Sequence, residues 1–112
     1  MDLSLSTEQL QIQNLAKEVA RKELAPKAAE IDRTSAFPRD SLKKLTELGL
    51  MGMGVPHDFG GSKSDTLSYV LALEELAKAC PSTAMVLADH VDTSYAIVVG
   101  GARMPRRSIC LP

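Results

Sequence analysis

From Thr7 onward, apolar residues recur at helical spacing. Ile12, Leu15, Ala16 and Val19 share one face, while Glu8, Gln11, Gln13, Lys17, Glu18, Arg21 and Lys22 occupy the other. The pattern predicts an amphipathic first helix, and Ser6 followed three residues later by Gln9 forms a capping box at its start. Pro26 has no N–H for the i−4 carbonyl and its ring crowds the preceding turn, so a kink is expected there. Ala28, Ala29 and Ile31 then carry the helix to about Asp32, and Thr34 to Phe37 reads as a loop.

Pro38 suits the first position of a second helix, with Asp40 in its first turn. Leu42, Leu45 and Leu48 repeat every three residues before Gly49 supplies a left-handed stop. Five of the seven glycines fall between Gly49 and Gly61, and Val55-Pro56 and Gly60-Gly61 favour turns and short extended pieces over helix. Ser64 and Asp65 compete as the cap of a third helix. Its apolar positions Leu67, Val70, Leu71, Leu73, Leu76 and Ala77 cover more than one stripe, the pattern of a central helix packed on two sides. Glu74 and Lys78 stand at i,i+4 in the favourable order. Pro81 ends that helix, and Ser82-Thr83 start a fourth through Ala84, Met85, Leu87, Ala88, Val91, Tyr95 and Val98, stopped by Gly100-Gly101. A further turn or two of helix fits Arg103 to Ile109, with Pro105 against it unless it stands in the first turn. With no repeat and no long alternating run, the expected architecture is all-α, four to five packed helices around one core.

Composition narrows the function classes. A chain of 112 residues suits one domain with a modest core. A net charge of -1 with 24% charged residues gives no electrostatic reason to expect nucleic acid or a membrane surface. The longest apolar stretch, Ala84 to Val99, is interrupted by Asp89, His90 and Asp92, so no membrane span is expected. Two isolated cysteines and two isolated histidines support neither a disulfide framework nor a zinc site. The N-terminus lacks the basic start and apolar run of a signal peptide, and its acids argue against an Arg-rich transit peptide. A reducing, cytoplasmic setting is the expectation, with the mitochondrial matrix as the alternative for a mature eukaryotic chain.

Few residues offer chemistry. The glycines of the connector do not make a nucleotide loop, because no strand precedes them and neither G-x-x-G-K-[ST] nor G-x-G-x-x-G follows. His57, between Pro56 and Asp58, reads as a solvated loop histidine rather than a general base. His90 has Asp89 and Asp92 as neighbours, but residues one and two apart on a helix do not face one another, so a shared metal site is not expected. Cys80 reads as a small buried hydrophobe with no base to activate it, and Met51, Met53 and Met85 as core filler. Arg103, Arg106 and Arg107 read as a solvated terminal turn, since no aromatic is interleaved with them.

Three stretches in order carry a resemblance: Ala20-Arg21-Lys22-Glu23-Leu24-Ala25-Pro26, then Leu45 to Gly52 leading into Val55-Pro56-His57-Asp58-Phe59-Gly60-Gly61, then Glu74-Glu75-Leu76-Ala77-Lys78-Ala79-Cys80-Pro81-Ser82. From about Leu5 to Val99 the chain resembles the N-terminal helical domain of the acyl-CoA dehydrogenase family of flavoenzymes. The resemblance places that domain at 1–101 and leaves 102–112 as a divergent tail, a truncated last helix. There the acidic residues, Gln and aromatic of the family pattern are missing while the closing Leu111-Pro112 remains. An incomplete product, by truncation or frameshift near Gly100, is the expectation.

The resemblance implies a larger enzyme: this domain, a β-domain and a C-terminal helical bundle, assembled as a homo-oligomer. In that enzyme a carboxylate base removes the α-proton of an acyl-CoA thioester while FAD accepts the β-hydride. The base and most FAD contacts belong to the other two regions, so no residue here is assigned as catalytic and no tight FAD binding is expected. What the resemblance assigns to this domain is a wall of the acyl-chain pocket, made by Ala84, Met85, Ala88, Asp89 and Asp92. Flexible Met85 and small Ala88 suit an aliphatic chain, which gains about 0.8 kcal/mol per buried methylene. Asp89 and Asp92 suit it less, since an unpaired carboxylate against hydrocarbon is costly and is better turned to solvent. The second reading is a stand-alone helical binding or scaffold module that kept the fold without the chemistry.

Overall fold

The computed structural model describes residues 1–101. The expected further turn around Arg103–Ile109 and the basic cluster of the tail therefore lie outside the described residues. Helix α1, Thr7–Val19, begins with the expected box: Ser6 Oγ accepts from Gln9 N at 3.1 Å, and Gln9 Oε1 accepts from Ser6 N at 2.9 Å. Two N–H groups that would otherwise be orphaned are satisfied reciprocally. Replacing Ser6 by Ala should cost about 1 kcal/mol, read as a lower urea midpoint at unchanged slope.

The distortion expected at Pro26 takes a different form. The chain stays helical through a π turn, Ala20–Leu24, into α2, Ala25–Thr34. The Ala25 N–H reaches back to the Ala20 carbonyl, five residues earlier, so the helix widens one turn before the proline ring has to be accommodated. Helix α2 runs on to Thr34 and ends at Ser35, whose left-handed backbone (φ 55) stops it.

Pro38 stands just outside α3, Arg39–Glu47, as its N-cap rather than as its first residue. Gly49 supplies the left-handed stop with φ 78. The connector then makes two 3-10 turns, Leu50–Gly52 and His57–Phe59. Between Ser64 and Asp65 the chain uses Asp65, whose Oδ1 accepts from Ser68 N at 2.8 Å at the start of α4, Thr66–Ala79. Cys80 is extended, and α5 starts directly at Pro81 and runs to Gly100, because a proline at the first position loses no helical hydrogen bond.

Helix α4 lies between α1 and α5, the central place its apolar pattern predicts. The Glu75 carboxylate, almost wholly buried, accepts from Lys78 Nζ at 3.0 Å, and Glu74 pairs with Lys78 at 3.3 Å. Leu24, Leu45, Met53, Val55, Leu76 and Leu87 fill the centre. The first 3-10 turn packs against α3 and α5, so the glycine-dense connector is a structural corner that sets where α5 lies.

Candidate functional site

Helix α5 has two faces with different destinies. Ala84, Leu87, Val91 and Ser94, spaced by three and four, point into the protein and are buried. Met85, Asp89 and Asp92 lie on the opposite side and are exposed, with Ala88 partly covered beside them. Spacings of three and four put Met85, Ala88, Asp89 and Asp92 on one surface. Ala84 is not on that surface: at 2% exposure its methyl belongs to the core. Met51 and Met53 are buried core filler as expected, but Met85 is not: at 63% exposure it is a large apolar side chain held out from the fold, because it falls on the outward face of α5.

A groove of about 510 Å³ opens where the start of α4 meets the middle of α5. Gly54, Asp65, Tyr69, Val91, Asp92 and Tyr95 line it, and its lining includes neither Lys nor Arg. Helix α4 supplies Tyr69, and α5 supplies Asp92 and, one turn later, Tyr95. Burial raises the Tyr69 phenol above its ordinary 10.0, and the neighbouring Asp92 carboxylate pushes in the same direction, as does Asp89. The phenol thus stays protonated beside the Asp92 carboxylate. Neither tyrosine carries a motif, so sequence reasoning passed over both.

The other candidate groups have structural roles. His57 Nδ1 lies 3.0 Å from the Gly61 carbonyl oxygen and braces the second 3-10 turn. The hollow bounded by Gly49, Gly52, Gly60 and Gly61 does not cradle an anion. The amides of Gly52, Gly60, Gly61 and Ser62 are bonded to the carbonyls of Gly49, His57, Pro56 and Gly52. Cys80 is buried with Sγ 3.2 Å from Thr83 Oγ1. Among the described residues no group of three His, Cys, Asp or Glu is placed to hold a metal ion, and no helix is long and apolar enough to cross a membrane.

His90 Nε2 is buried without a partner, and burial pushes the imidazole below its ordinary value of 6.5. Protonation would place a charge on a partly buried ring whose Nε2 has no partner. The unfolded chain then binds a proton that the folded chain resists, so the contribution of His90 is undiminished above pH 6.5 and stability falls as the pH drops below it. Urea titrations from about pH 8 to about pH 5 should register this decline, and His90→Gln should flatten it.

The chain is thus an all-α helical domain with one face of α5 exposed beside a groove. The family model described as "Acyl-CoA dehydrogenase, N-terminal domain" matches residues 6–107, and the chain belongs to that family. It is 47% identical over 91 residues to the probable acyl-CoA dehydrogenase YngJ of Bacillus subtilis (strain 168), covering 81% of this chain and 24% of that protein. It is 43% identical over 103 residues to the acryloyl-CoA reductase (NADH) of Anaerotignum propionicum, covering 92% of this chain and 26% of that protein. The structure of butyryl-CoA dehydrogenase from Megasphaera elsdenii superposes with a TM-score of 0.89 at 30% identity, over 100% of this chain and 30% of that one. The chain thus spans about a quarter of the length of these curated relatives.

Proposed function

We propose that this chain is the pocket-wall domain of an FAD-dependent dehydrogenase of acyl-CoA thioesters. The acyl chain lies against the α5 surface formed by Met85, Ala88, Asp89 and Asp92, and the domain occupies residues 1–101. The observation that carries the reading is Met85: a large, flexible, apolar side chain exposed at the family's acyl-pocket position, with Ala88 one turn on leaving room beside it. Relatives named for CoA thioesters of several acids support the substrate class. Ala84 contributes from behind, fixing the spacing between α5 and the core.

The described residues do not fit the flavin. Its diphosphate needs cations or free amides, whereas the groove presents the carboxylates of Asp65 and Asp92 and the glycine hollow has already bonded its amides. The flavin and the base that removes the α-proton therefore come from the β-domain and helical bundle of the whole enzyme, a homo-oligomer. What this chain does is hold the acyl group: it supplies apolar contact at Met85 and Ala88 and keeps the groove beside them open.

Titrating the isotope-labelled chain with FAD and, separately, with a fatty acyl-CoA tests the reading. Acyl-CoA should move the amide signals of Met85, Ala88 and Asp92, and FAD should leave its own fluorescence unchanged. A yellow protein on purification, or acyl-CoA shifts confined to other helices, would sink it.

A further inference from the structure

The groove between α4 and α5 has a composition that a purely hydrocarbon ligand does not explain. Its walls carry two phenol rings, Tyr69 and Tyr95, and two carboxylates, Asp65 and Asp92, with no lining Lys or Arg. Asp65 is committed: it caps α4 through Ser68 N at 2.8 Å and Ser68 Oγ at 3.1 Å. Asp92 is not committed in that way. No cation among the described residues forms an ion pair with it, and it shares the groove wall with the Tyr69 phenol. Asp89, on the preceding turn, brings a second negative charge to bear on Tyr69.

A carboxylate that shares a groove with two tyrosines is a combination that favours an ammonium ion. The carboxylate supplies charge, and the aromatic rings supply their negative faces at little desolvation cost to the cation. A methyl-terminated chain reaching the same point would instead press hydrocarbon against an ionised group. Along α5 the surface changes from apolar at Met85 and Ala88 to acidic at Asp92, a progression over about 10 Å of helix axis.

The geometry points to a cation subsite: the groove formed by Tyr69, Asp92 and Tyr95 receives an ammonium group at the far end of an acyl thioester whose hydrocarbon part lies along Met85 and Ala88. This assignment rests on the α5 surface being the acyl wall. It adds a substrate class, acyl groups ending in a cation, that the wall alone does not select.

The test compares two pantetheine thioesters of matched length, 8-aminooctanoyl and its uncharged isostere nonanoyl, each titrated into the isotope-labelled full chain and followed by backbone-amide NMR. The ammonium ligand should bind about tenfold more tightly than the isostere. Tyr95→Ala, at an exposed position, should bring the ratio close to one while the nonanoyl-induced shifts at Met85 persist, and Asp92→Asn should weaken the ammonium ligand far more than the nonanoyl one. Equal affinity of the two ligands in the unaltered chain, with shifts at Met85 and Ala88, would overturn the cation subsite and leave the acyl wall standing. Absence of shifts on α5 with either ligand would overturn both, and a preference that survives Asp92→Asn would remove Asp92 from the assignment.

Discussion

Gly61→Ala should abolish or severely weaken folding, with a loss of about 4 kcal/mol or more. A Cβ built on Gly61 falls far inside contact distance of the Val55 carbonyl oxygen and of Val55 Cβ, both parts of the main framework rather than the ends of flexible side chains. Relief would require the strand of chain at Gly61 to move away from Val55. That movement breaks the Lys63 N–H bond to the Val55 carbonyl (3.0 Å) and the Ser62 N–H bond to the Gly52 carbonyl (3.1 Å). Val55 is itself completely buried, so it has nowhere to retreat. Gly49→Ala is the contrasting case. Nothing lies within 4 Å of its added Cβ, and only the left-handed φ of 78 opposes the substitution, for about 1 kcal/mol. Urea denaturation of the two variants separates the effects: a Gly61→Ala cost no larger than that of Gly49→Ala would mean that the connector is not the rigid corner described above.

Features written within a few residues were legible in the sequence, and features that depend on a distant element were not. The Ser6–Gln9 capping box and the Gly49 stop are local geometry, and both stand where the residues place them. The response to Pro26 is not local in that sense. The sequence reveals a missing N–H, but a sharp kink and a π turn both accommodate it, and the choice is made by what the widened turn can pack against α4. Pro38 and Pro81 differ for a related reason. Both fit the first turn of a helix, yet Pro81 is inside α5 while Pro38 adopts ψ 54 and stays just outside α3.

The candidate site divides along the same line. Met85, Ala88, Asp89 and Asp92 share a surface because of helical spacing, which a sequence displays directly. The same spacing gathers Ala84 with Leu87, Val91 and Ser94 in the buried set, so its inward position was open to the periodicity even though the family pattern grouped it with the others. The groove itself was hidden. Tyr69 and Tyr95 stand on different helices, and their approach is fixed by how α4 crosses α5 and by the corner around Gly54. The one sequence signal was Tyr95 three residues after Asp92, the spacing that stacks two side chains on one helix face.

Leu24→Ala should destabilise the domain by about 3 kcal/mol, within the range for emptying a fully buried leucine site. Leu24 has no exposed surface and sits in the π turn, which packs against α4 alongside α1. Removing its branched end takes away buried hydrocarbon and leaves a void that Leu76 and Leu45, both completely buried, cannot fill without leaving their own positions. For a domain of this size that loss corresponds to a fall in melting temperature of roughly 12–24 °C. Leu3→Ala provides the reference: Leu3 is 82% exposed, and its truncation should stay within about 0.5 kcal/mol. The π turn adds a second possible response, because a smaller side chain at position 24 permits the widened turn to tighten into regular α-helix and rotate the preceding residues. Such repacking would reduce the cost below about 1 kcal/mol and alter the amide shifts of Ala20 to Ala25. A large cost with those shifts unchanged would instead establish that Pro26 holds the widened turn in place whether or not Leu24 fills it.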